Sequence, residues 1–448
     1  MRNIIVMKFG GSSVANASAM LNVLKIISAN KSKKLVVLSA CKGITDLLIE
    51  VANFSLQNYP KASEIIDEIS KHHKQIIENT LKTELRNKAS EETEKLIRQV
   101  REYSEGTHLL QELTPKMMDY FVSFGEKLST TVFYYILLEE KINTALINSG
   151  NYIITNSKFG EAEPNYTLIK SKVQQELIPQ FEIYDTIIAQ GFIGSDTDGR
   201  TTTLGRGGSD YSASIYGLAL GANEIQIWTD VSGVKSADPR LVEQAITIDE
   251  MTIDEIRELS FYGAKVLHPD TIKPAVEAGI PIKVLNTFSP LDQGTIIKEN
   301  FQESEPKLHS ISLLSEVTKL HFHLDAKRNN NLQVMDILNY FIRRDIKILS
   351  SSQSETSLLL FAKMDNHQVD NLKATYTDYQ VEASKGDLIC LVGNNILLDK
   401  ELLSKLFKKI EHYQVDYIQF GINKQLSLLF SKKNTKEIIE KIHSIIGN

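Results

Sequence analysis

Cysteine is scarce: Cys41 and Cys390 are the two in 448 residues. Two cysteines cannot build a disulfide framework or a cysteine-rich zinc site, and their scarcity suits a reducing cytosol. Tryptophan occurs once, at Trp228. No uninterrupted apolar run approaches the ~20 residues of a membrane span. The opening MRNIIVMKFGGSS has one early arginine and only a short apolar run before Lys8, so it reads as a first β-strand and not as a signal peptide. Neither sign of charge dominates. Lys and Arg number 50 against 56 Asp and Glu, and 50 − 56 leaves −6, too mild to draw the chain to nucleic acid or anionic lipid. Membrane, secreted and fibrous classes are therefore disfavoured, and a cytoplasmic protein with no nucleic-acid or membrane partner is expected. What remains is an ordinary globular composition, 42% hydrophobic and 24% charged, over a length of about three domains.

Hydrophobic patterning divides the chain in two. Residues Asn3–Phe9 are an apolar run ending in Gly10-Gly11-Ser12-Ser13, followed by a helical stretch and a second apolar run at Leu35–Ala40. Strand, glycine turn, helix and strand begin an α/β sandwich with a mainly parallel sheet. Residues 60–115 interrupt it with a Lys/Glu-rich, one-sided helical pattern (Ile65, Ile66, Ile69, Ile76, Ile77, Leu81, Leu85), which reads as a solvated helical hairpin packed on the sheet. His72 and His73 lie within it on different helix faces, which argues against a metal site. The α/β pattern resumes with a helix at 116–139, strands at 142–147 and 186–193, a glycine-rich stretch at 194–210, a helix at 210–221, a strand at 224–229, a helix at 250–264 and a strand at 282–285. A polar segment, 289–307, closes this region near residue 300. The tail, 308–448, repeats a βαββαβ rhythm twice. Its second pass lacks a final strand, and Leu308–Leu314 stands unassigned ahead of the first. The economical solution inserts one ferredoxin-like module (approximately 315–385) in the other (308–314 plus 386–448).

Five motifs carry chemistry. In Lys8-Phe9-Gly10-Gly11-Ser12-Ser13, a Gly-Gly turn between strand and helix lets backbone N–H groups approach an anion, with Lys8 as a mobile charge; a plain β–α connection is the alternative. It is not a Walker A loop. Asp198–Asp210 crowds four glycines, two arginines and three threonines ahead of a helix with Ser209 or Asp210 near its N-cap. That is again an anion cradle, in which Arg206 can clamp a carboxylate. Trp228-Thr229-Asp230-Val231-Ser232-Gly233, followed by Asp238-Pro239-Arg240, puts a polar turn at a strand's C-terminal end, where open α/β sheets bind ligands. In Tyr262–Pro269, Lys265 can reach phosphates, while His268 reads as structural. Within Ser123–Ser129, Glu126 at a helix start either caps the helix or pairs with a substrate ammonium.

Taken in order, KFGGSSVA, FGEKLS, GFIG with DGRTTTLGRGGSD, WTDVSG with DPR, and YGAKVLHP resemble the signatures of the aspartate kinases, members of the amino-acid kinase family. The match covers the first 300 residues, and the paired tail resembles the family's two regulatory ACT modules. The resemblance implies transfer of the ATP γ-phosphoryl group to the side-chain carboxylate of L-aspartate, the first step towards lysine, threonine and methionine. It implies that Lys8 bridges the transferring phosphoryl, with Asp210 organising Lys8 and the ATP·Mg²⁺ end. Gly10, Gly11, Ser12, Gly207 and Gly208 cradle phosphate. Thr45, Glu126, Arg206 and Ser209 hold aspartate, with Ser39 and Phe192 lining its pocket. Thr229, Asp230, Lys235, Arg240, Lys265 and Val266 hold the nucleotide. Lys235 departs from the aromatic residue expected there, and Ser195-Asp196-Thr197 is more acidic than the family pattern. Mg²⁺ is expected on phosphate oxygens and water, with no cage of three carboxylates and no protein ligand assigned.

The ACT resemblance also implies a homodimer or larger assembly and an amino-acid effector, lysine and/or threonine. Asn330, Asn331, Ser354 and Glu355, within Asn329–Asn331 and Ser350–Ser357, form the expected effector site; a plain β-hairpin at the serines is the alternative. A fused homoserine dehydrogenase is not expected after this tail. Two other readings stand beside the aspartate kinase. One is a sister kinase acting on another acid; the other is a non-catalytic amino-acid sensor, against which Lys8, Arg206 and Asp210 argue.

Overall fold

The computed structural model describes residues 3–264, 267–299, 306–325, 327–421, 424–431 and 434–446. They form two compact units. The first comprises Met1–Val234, Thr247–Ile253 and Leu267–Asn300; the second comprises Lys235–Ile246, Asp254–Val266 and Phe301–Asn448. The stretches 235–246 and 254–264 thus pack with the tail, although their sequence reads as continuous with the first region.

The first unit contains strands β1 (Ile4–Phe9), β2 (Lys33–Leu38), β3 (Thr144–Leu146), β4 (Thr186–Gln190), β5 (Ile193–Ser195), β6 (Thr201–Thr203), β7 (Glu224–Thr229), β8 (Glu250–Thr252), β9 (Ile282–Asn286) and β10 (Thr295–Lys298). Its helices are α1 (Ala17–Ala29), α2 (Ile44–Gln57), α3 (Tyr59–Thr80), α4 (Leu85–Leu110), α5 (Pro115–Glu139), α6 (Tyr166–Lys172), α7 (Gly208–Leu220) and α9 (Pro269–Glu277); α8 (Ile253–Phe261) starts in this unit and continues in the second. The main sheet runs β3-β4-β2-β1-β7-β9-β10-β8, parallel throughout except at β9–β10.

The central strands are buried on both faces, which is why they read as continuous apolar runs without alternation. One face, including Met7, Phe9, Val36 and Leu38, packs on α1, α2 and α5. Helix α7 packs on β1, β2 and β7. Helices α3 and α4 form the expected hairpin, but they lie chiefly on α2 and α5 and not on the sheet itself. Two expectations need correction. The helix expected at 250–264 begins with strand β8, and the polar stretch 289–307 contains β10, which pairs parallel with β8. Thr295 anchors that strand: its hydroxyl accepts from the Val234 N–H at 2.7 Å and donates to the Ile248 carbonyl at 2.6 Å.

The second unit carries β11 (Lys307–His323), α10 (Asn330–Arg343), β12 (Ile348–Gln353), β13 (Ser357–Ala362), α11 (Asn366–Thr375), β14 (Gln380–Asn394), α12 (Lys400–Ile410), β15 (Val415–Phe420), β16 (Gln425–Phe430) and α13 (Thr435–His443). Its antiparallel sheet runs β12-β13-β11-β14-β16-β15. Four strands expected separately, at 308–314, 318–325, 378–384 and 388–393, merge into the long pair β11 and β14. A register shift between Leu314 and Val317 marks the join. Leu308–Leu314 lies beside Leu388–Gly393, so the second βαββαβ half closes around the first. Each half has its own core, one around Phe322, Phe341 and Leu360 and one around Ile389, Leu428 and Ile439. Both cysteines are buried free thiols, and among the described residues no helix is long and apolar enough to cross a membrane.

Candidate active site

The C-terminal ends of β1, β2 and β4 meet the N-terminus of α7 in the first unit. Lys8, the penultimate residue of β1, extends Nζ to 2.6 Å from the Asp210 carboxylate in the first turn of α7. The helix begins two residues earlier than the expected 210–221. Its N-cap is Gly207 at φ 72°, a left-handed conformation that favours glycine, so Ser209 and Asp210 both lie inside the first turn. Gly208 is required by close approach: a Cβ there would lie 2.6 Å from Cδ2 of Phe192. Phe192 is itself left-handed at φ 66° and is held by its N–H to Ser212 Oγ (2.8 Å) and its carbonyl to the Leu204 N–H (3.0 Å). On the other side, the Gly10 N–H donates to the Trp228 carbonyl at 3.0 Å, and the Lys42 N–H donates to the Gly11 carbonyl at 3.2 Å. These bonds fix the Gly-Gly turn against β7 and the β2–α2 loop.

The loops enclose a cavity of about 340 Å³ whose wall includes Lys8, Gly11, Ser39, Thr45, Glu126, Phe192, Gly207, Gly208, Ser209 and Asp210. Backbone N–H groups at the start of α7 and the ammonium of Lys8 give it a positive character at one end. Glu126 adds a buried acid to the same wall. It lies mid-way along the 25-residue α5, not at a helix start, so the capping alternative falls. Its side chain is buried, and Oε2 has no hydrogen-bond partner among the described residues. Burial pushes its carboxyl up to about 8, with hydrogen bonding to the Ala40 backbone and the charge of Lys8 offsetting part of the effect. An unpaired acid facing a polar cavity is a receptor for a cationic group.

Other expected residues fall elsewhere. Gly10 and Ser12 shape the turn but are not on the cavity wall, and Arg206 is exposed, flanked in sequence by the wall residues Gly205 and Gly207. The nucleotide residues are not gathered into one described site. Thr229 ends β7 in the first unit and Asp230 follows it, with the Thr229 hydroxyl donating to Asp230 Oδ1 at 3.2 Å. Lys235 and Arg240 belong to the second unit, where Arg240 is ion-paired with Asp238 at 2.6 Å. Lys265 and Val266 lie outside the described residues. In the tail, Asn330 Nδ2 donates to the carbonyls of Ser354 (3.3 Å) and Glu355 (3.0 Å), which brings three of the four expected effector residues together, while Asn331 is exposed beside them on α10.

Several wall residues escaped the sequence reading, among them Cys41 and Lys42 on the β2–α2 loop and Asp46 in the first turn of α2. The strand-then-glycine pattern at Ser39–Gly43 was the available signal. Cys41 is no nucleophile, because burial pushes its thiol up to about 12. Asp119 was also missed. It reaches from α5 to accept from the Thr203 hydroxyl (2.7 Å), the Thr203 N–H (3.0 Å) and the Gly160 N–H (3.0 Å), tying the threonine-rich strand to α5. Asp196 closes the β5–β6 turn by accepting from the Arg200 guanidinium at 2.7 Å and from the N–H groups of Asp198 and Arg200. Trp228 is core, stacked on Phe9 with ring centroids 5.9 Å apart.

A mainly parallel α/β sheet with a glycine-lined anion cradle at its strand ends defines the class of α/β proteins that bind an anionic ligand at the strand ends, the small-molecule kinases among them. Comparison with known proteins agrees. The model of the amino acid kinase family matches residues 3–286. Over whole chains, the sequence is 32% identical to the lysine-sensitive aspartokinase 3 of Escherichia coli (strain K12), covering 99% of each. The fold is similar to the crystal structure of E. coli aspartokinase III in complex with lysine and aspartate (T-state), with a TM-score of 0.85, 32% identity and coverage of 99% of this chain and 100% of that one. It is also similar to that of E. coli aspartokinase III in complex with aspartate and ADP (R-state), with a TM-score of 0.81, 32% identity and 100% coverage of both. The chain belongs to the amino acid kinase family and, within it, to the aspartokinases.

Proposed function

We propose that the chain phosphorylates the side-chain carboxylate of L-aspartate with ATP, releasing 4-phospho-L-aspartate and ADP, as the first step towards lysine, threonine and methionine in the cytoplasm. The observation that carries this reading is the pairing, in one cavity, of an unpartnered buried acid, Glu126, with the Lys8–Asp210 ion pair. Glu126 receives the substrate ammonium, and Arg206 folds over a carboxylate. Ser39, Thr45, Phe192 and Ser209 fill the remaining wall.

The attacking carboxylate oxygen is already ionised near neutral pH, so no general base is needed. A new P–O bond forms to the γ-phosphorus as the bond to the ADP oxygen breaks, and no proton moves. The barrier lies in bringing one anion against another, and the chain lowers it by positioning and by fixed positive charge. Lys8 meets the equatorial phosphoryl oxygens, and the Gly10–Ser12 turn and the Gly207–Gly208 start of α7 cradle them. Asp210 keeps the Lys8 ammonium aimed at the transfer point. The wall fits Mg²⁺ carried mainly by phosphate and water: of its three acids, Asp210 is engaged by Lys8 and Glu126 is held largely neutral by burial, which leaves Asp46, exposed in the first turn of α2. Bound there, the ion neutralises phosphate charge. Thr229, Asp230, Lys235, Arg240, Lys265 and Val266 contribute to nucleotide binding in this reading.

The tail senses an end product, lysine or threonine, at Asn330, Asn331, Ser354 and Glu355, and joins chains into a homodimer or larger assembly. The lysine sensitivity of the E. coli relative and the Asn330 contacts support this. Incubation with ATP, Mg²⁺ and L-aspartate, with hydroxylamine as trap, tests the reaction. Aspartyl hydroxamate that falls on addition of lysine or threonine supports both parts. Turnover of N-acetylglutamate, glutamate or UMP in place of aspartate overturns the substrate assignment.

A further inference from the structure

The antiparallel pair β11–β14 of the second unit brings three metal-ligating side chains together, none of them a residue of the cavity wall. His321 and His323 alternate along β11 and so share one face of the sheet, while Phe322 between them points the other way into the core. Glu382 lies directly opposite His321 on β14. The Nδ1 of His321 is 3.8 Å from one Glu382 carboxylate oxygen, and the Nε2 of His323 is 3.6 Å from the other. The two imidazole centroids lie 4.3 Å apart with the rings tilted by 49°, and one ligand atom from each of the three residues lies within 4.8 Å of the others.

These distances are too long for hydrogen bonds and close to those between ligands of a shared ion. Tetrahedral zinc with bonds of about 2.0–2.1 Å separates its ligands by ~3.3 Å. The two histidine–carboxylate separations exceed this by about half an ångström or less, and the widest separation in the trio, within 4.8 Å, closes by rotation of partly exposed side chains. The same unit shows what a plain histidine–carboxylate hydrogen bond looks like: His309 Nδ1 sits 2.7 Å from Glu255. His323 Nε2, by contrast, is screened from solvent and has no hydrogen-bond partner among the described residues. The three side chains are 33%, 42% and 61% exposed, so an ion and its water have access. Gln380 Nε2, 3.5 Å from Glu382, is placed to orient the carboxylate from outside.

We propose that His321, His323 and Glu382 form a site for a divalent transition metal of the zinc class, three protein ligands with water in the fourth position, which cross-links β11 to β14 in the first half of the tail. Two imidazoles and one carboxylate favour Zn²⁺, Ni²⁺ or Cu²⁺ over Mg²⁺ or Ca²⁺, which prefer all-oxygen sets. The site is separate from the Mg²⁺·ATP chemistry and does not rest on the function proposed above.

The test uses the full chain, stripped with EDTA, dialysed and free of nucleotide. Zinc is titrated calorimetrically, and Co²⁺ is followed by its visible d–d absorption. The wild type is expected to take up one ion per chain at this site with micromolar or tighter affinity and to give the intense cobalt bands of a four-coordinate centre. His321→Ala/His323→Ala should lose that uptake at least tenfold, and Glu382→Gln should weaken it while keeping the strand surface intact. Thermal melts in EDTA check folding, and zinc should raise the midpoint of the wild type only. Identical isotherms and cobalt spectra for wild type and Glu382→Gln, or for wild type and a folded double variant, overturn the proposal. So does wild type that takes up no ion.

Discussion

Asp210 holds the ammonium of Lys8 at 2.6 Å, joining the end of β1 to the first turn of α7 across the floor of the cavity. The pair is largely shielded, with side-chain exposures of 11% and 15%. In such surroundings a charge is directed by its partner more firmly than at an open surface. Lys8→Ala should therefore lower kcat by ~10²-fold or more, the loss typical of a transition-state donor, with little change in KM for aspartate. Asp210→Asn should lower kcat by a smaller factor. Because the two residues act as one unit, the double variant should be little worse than Lys8→Ala alone. Steady-state kinetics on the four proteins decide it, and an unchanged kcat in Lys8→Ala contradicts the role.

Glu126 carries a stability cost that depends on pH. Its carboxyl, pushed up to about 8 by burial, stays protonated in the folded chain while the unfolded chain ionises it near its ordinary value. The folded state is therefore penalised progressively as pH rises from about 4.5 to about 8, and the penalty is constant above that. Glu126→Gln removes it. The variant should be more stable than wild type by about 2–4 kcal/mol at pH 8.5 and by much less at pH 5. Denaturant midpoints at the two pH values measure this, and a variant less stable than wild type at pH 8.5 contradicts it.

Helix α5 reaches the cavity wall only because residue 125 has no side chain. A Cβ on Gly125 would lie 2.7 Å from the Cβ of Ala40. Gly125→Ala should force α5 away from the β2–α2 loop, cost about 1–3 kcal/mol as overpacking, and displace Glu126. Loss of stability in chemical denaturation together with a raised KM for aspartate is expected. Retention of both contradicts the packing argument.

Arg206 is exposed and makes no ion pair among the described residues, so its guanidinium remains available to a ligand. Arg206→Ala should raise KM for aspartate by ~10-fold or more. Arg206→Lys should recover little of it, since a point charge does not replace a bidentate clamp. Full recovery in the lysine variant, measured by initial rates, would remove the clamp from the account.

The glycine-rich motifs were legible in the sequence because they answer a local demand. Gly207 must be left-handed and Gly208 must admit Phe192, and both needs are written in neighbouring residues. The buried strands and the one-sided helices at 59–110 were legible for the same reason. The position of Glu126 was not, because FGEKLS resembles a helix start when the long apolar pattern around it is left aside. Asp119 and Asp196 were unread because their partners, Thr203 at one and the β5–β6 turn at the other, are set by tertiary contacts. The two long strands of the tail were split because the bulge at Leu314–Val317 breaks the alternation while pairing continues through it. The nearness of His321, His323 and Glu382 depends on the register of β11 against β14, which alternation within a single strand does not reveal.

The central claim is that Glu126 receives the ammonium of an aspartate whose side-chain carboxylate is phosphorylated beside Lys8. Its most direct test is kcat/KM for phosphoryl transfer to L-aspartate and to succinate, which lacks only the amino group, in wild type and in Glu126→Gln. Wild type should turn over aspartate and prefer it to succinate by ~10²-fold or more, and the variant should lose most of that preference by losing aspartate activity alone. A variant that loses both substrates equally, or a wild type that does not phosphorylate aspartate, contradicts the account.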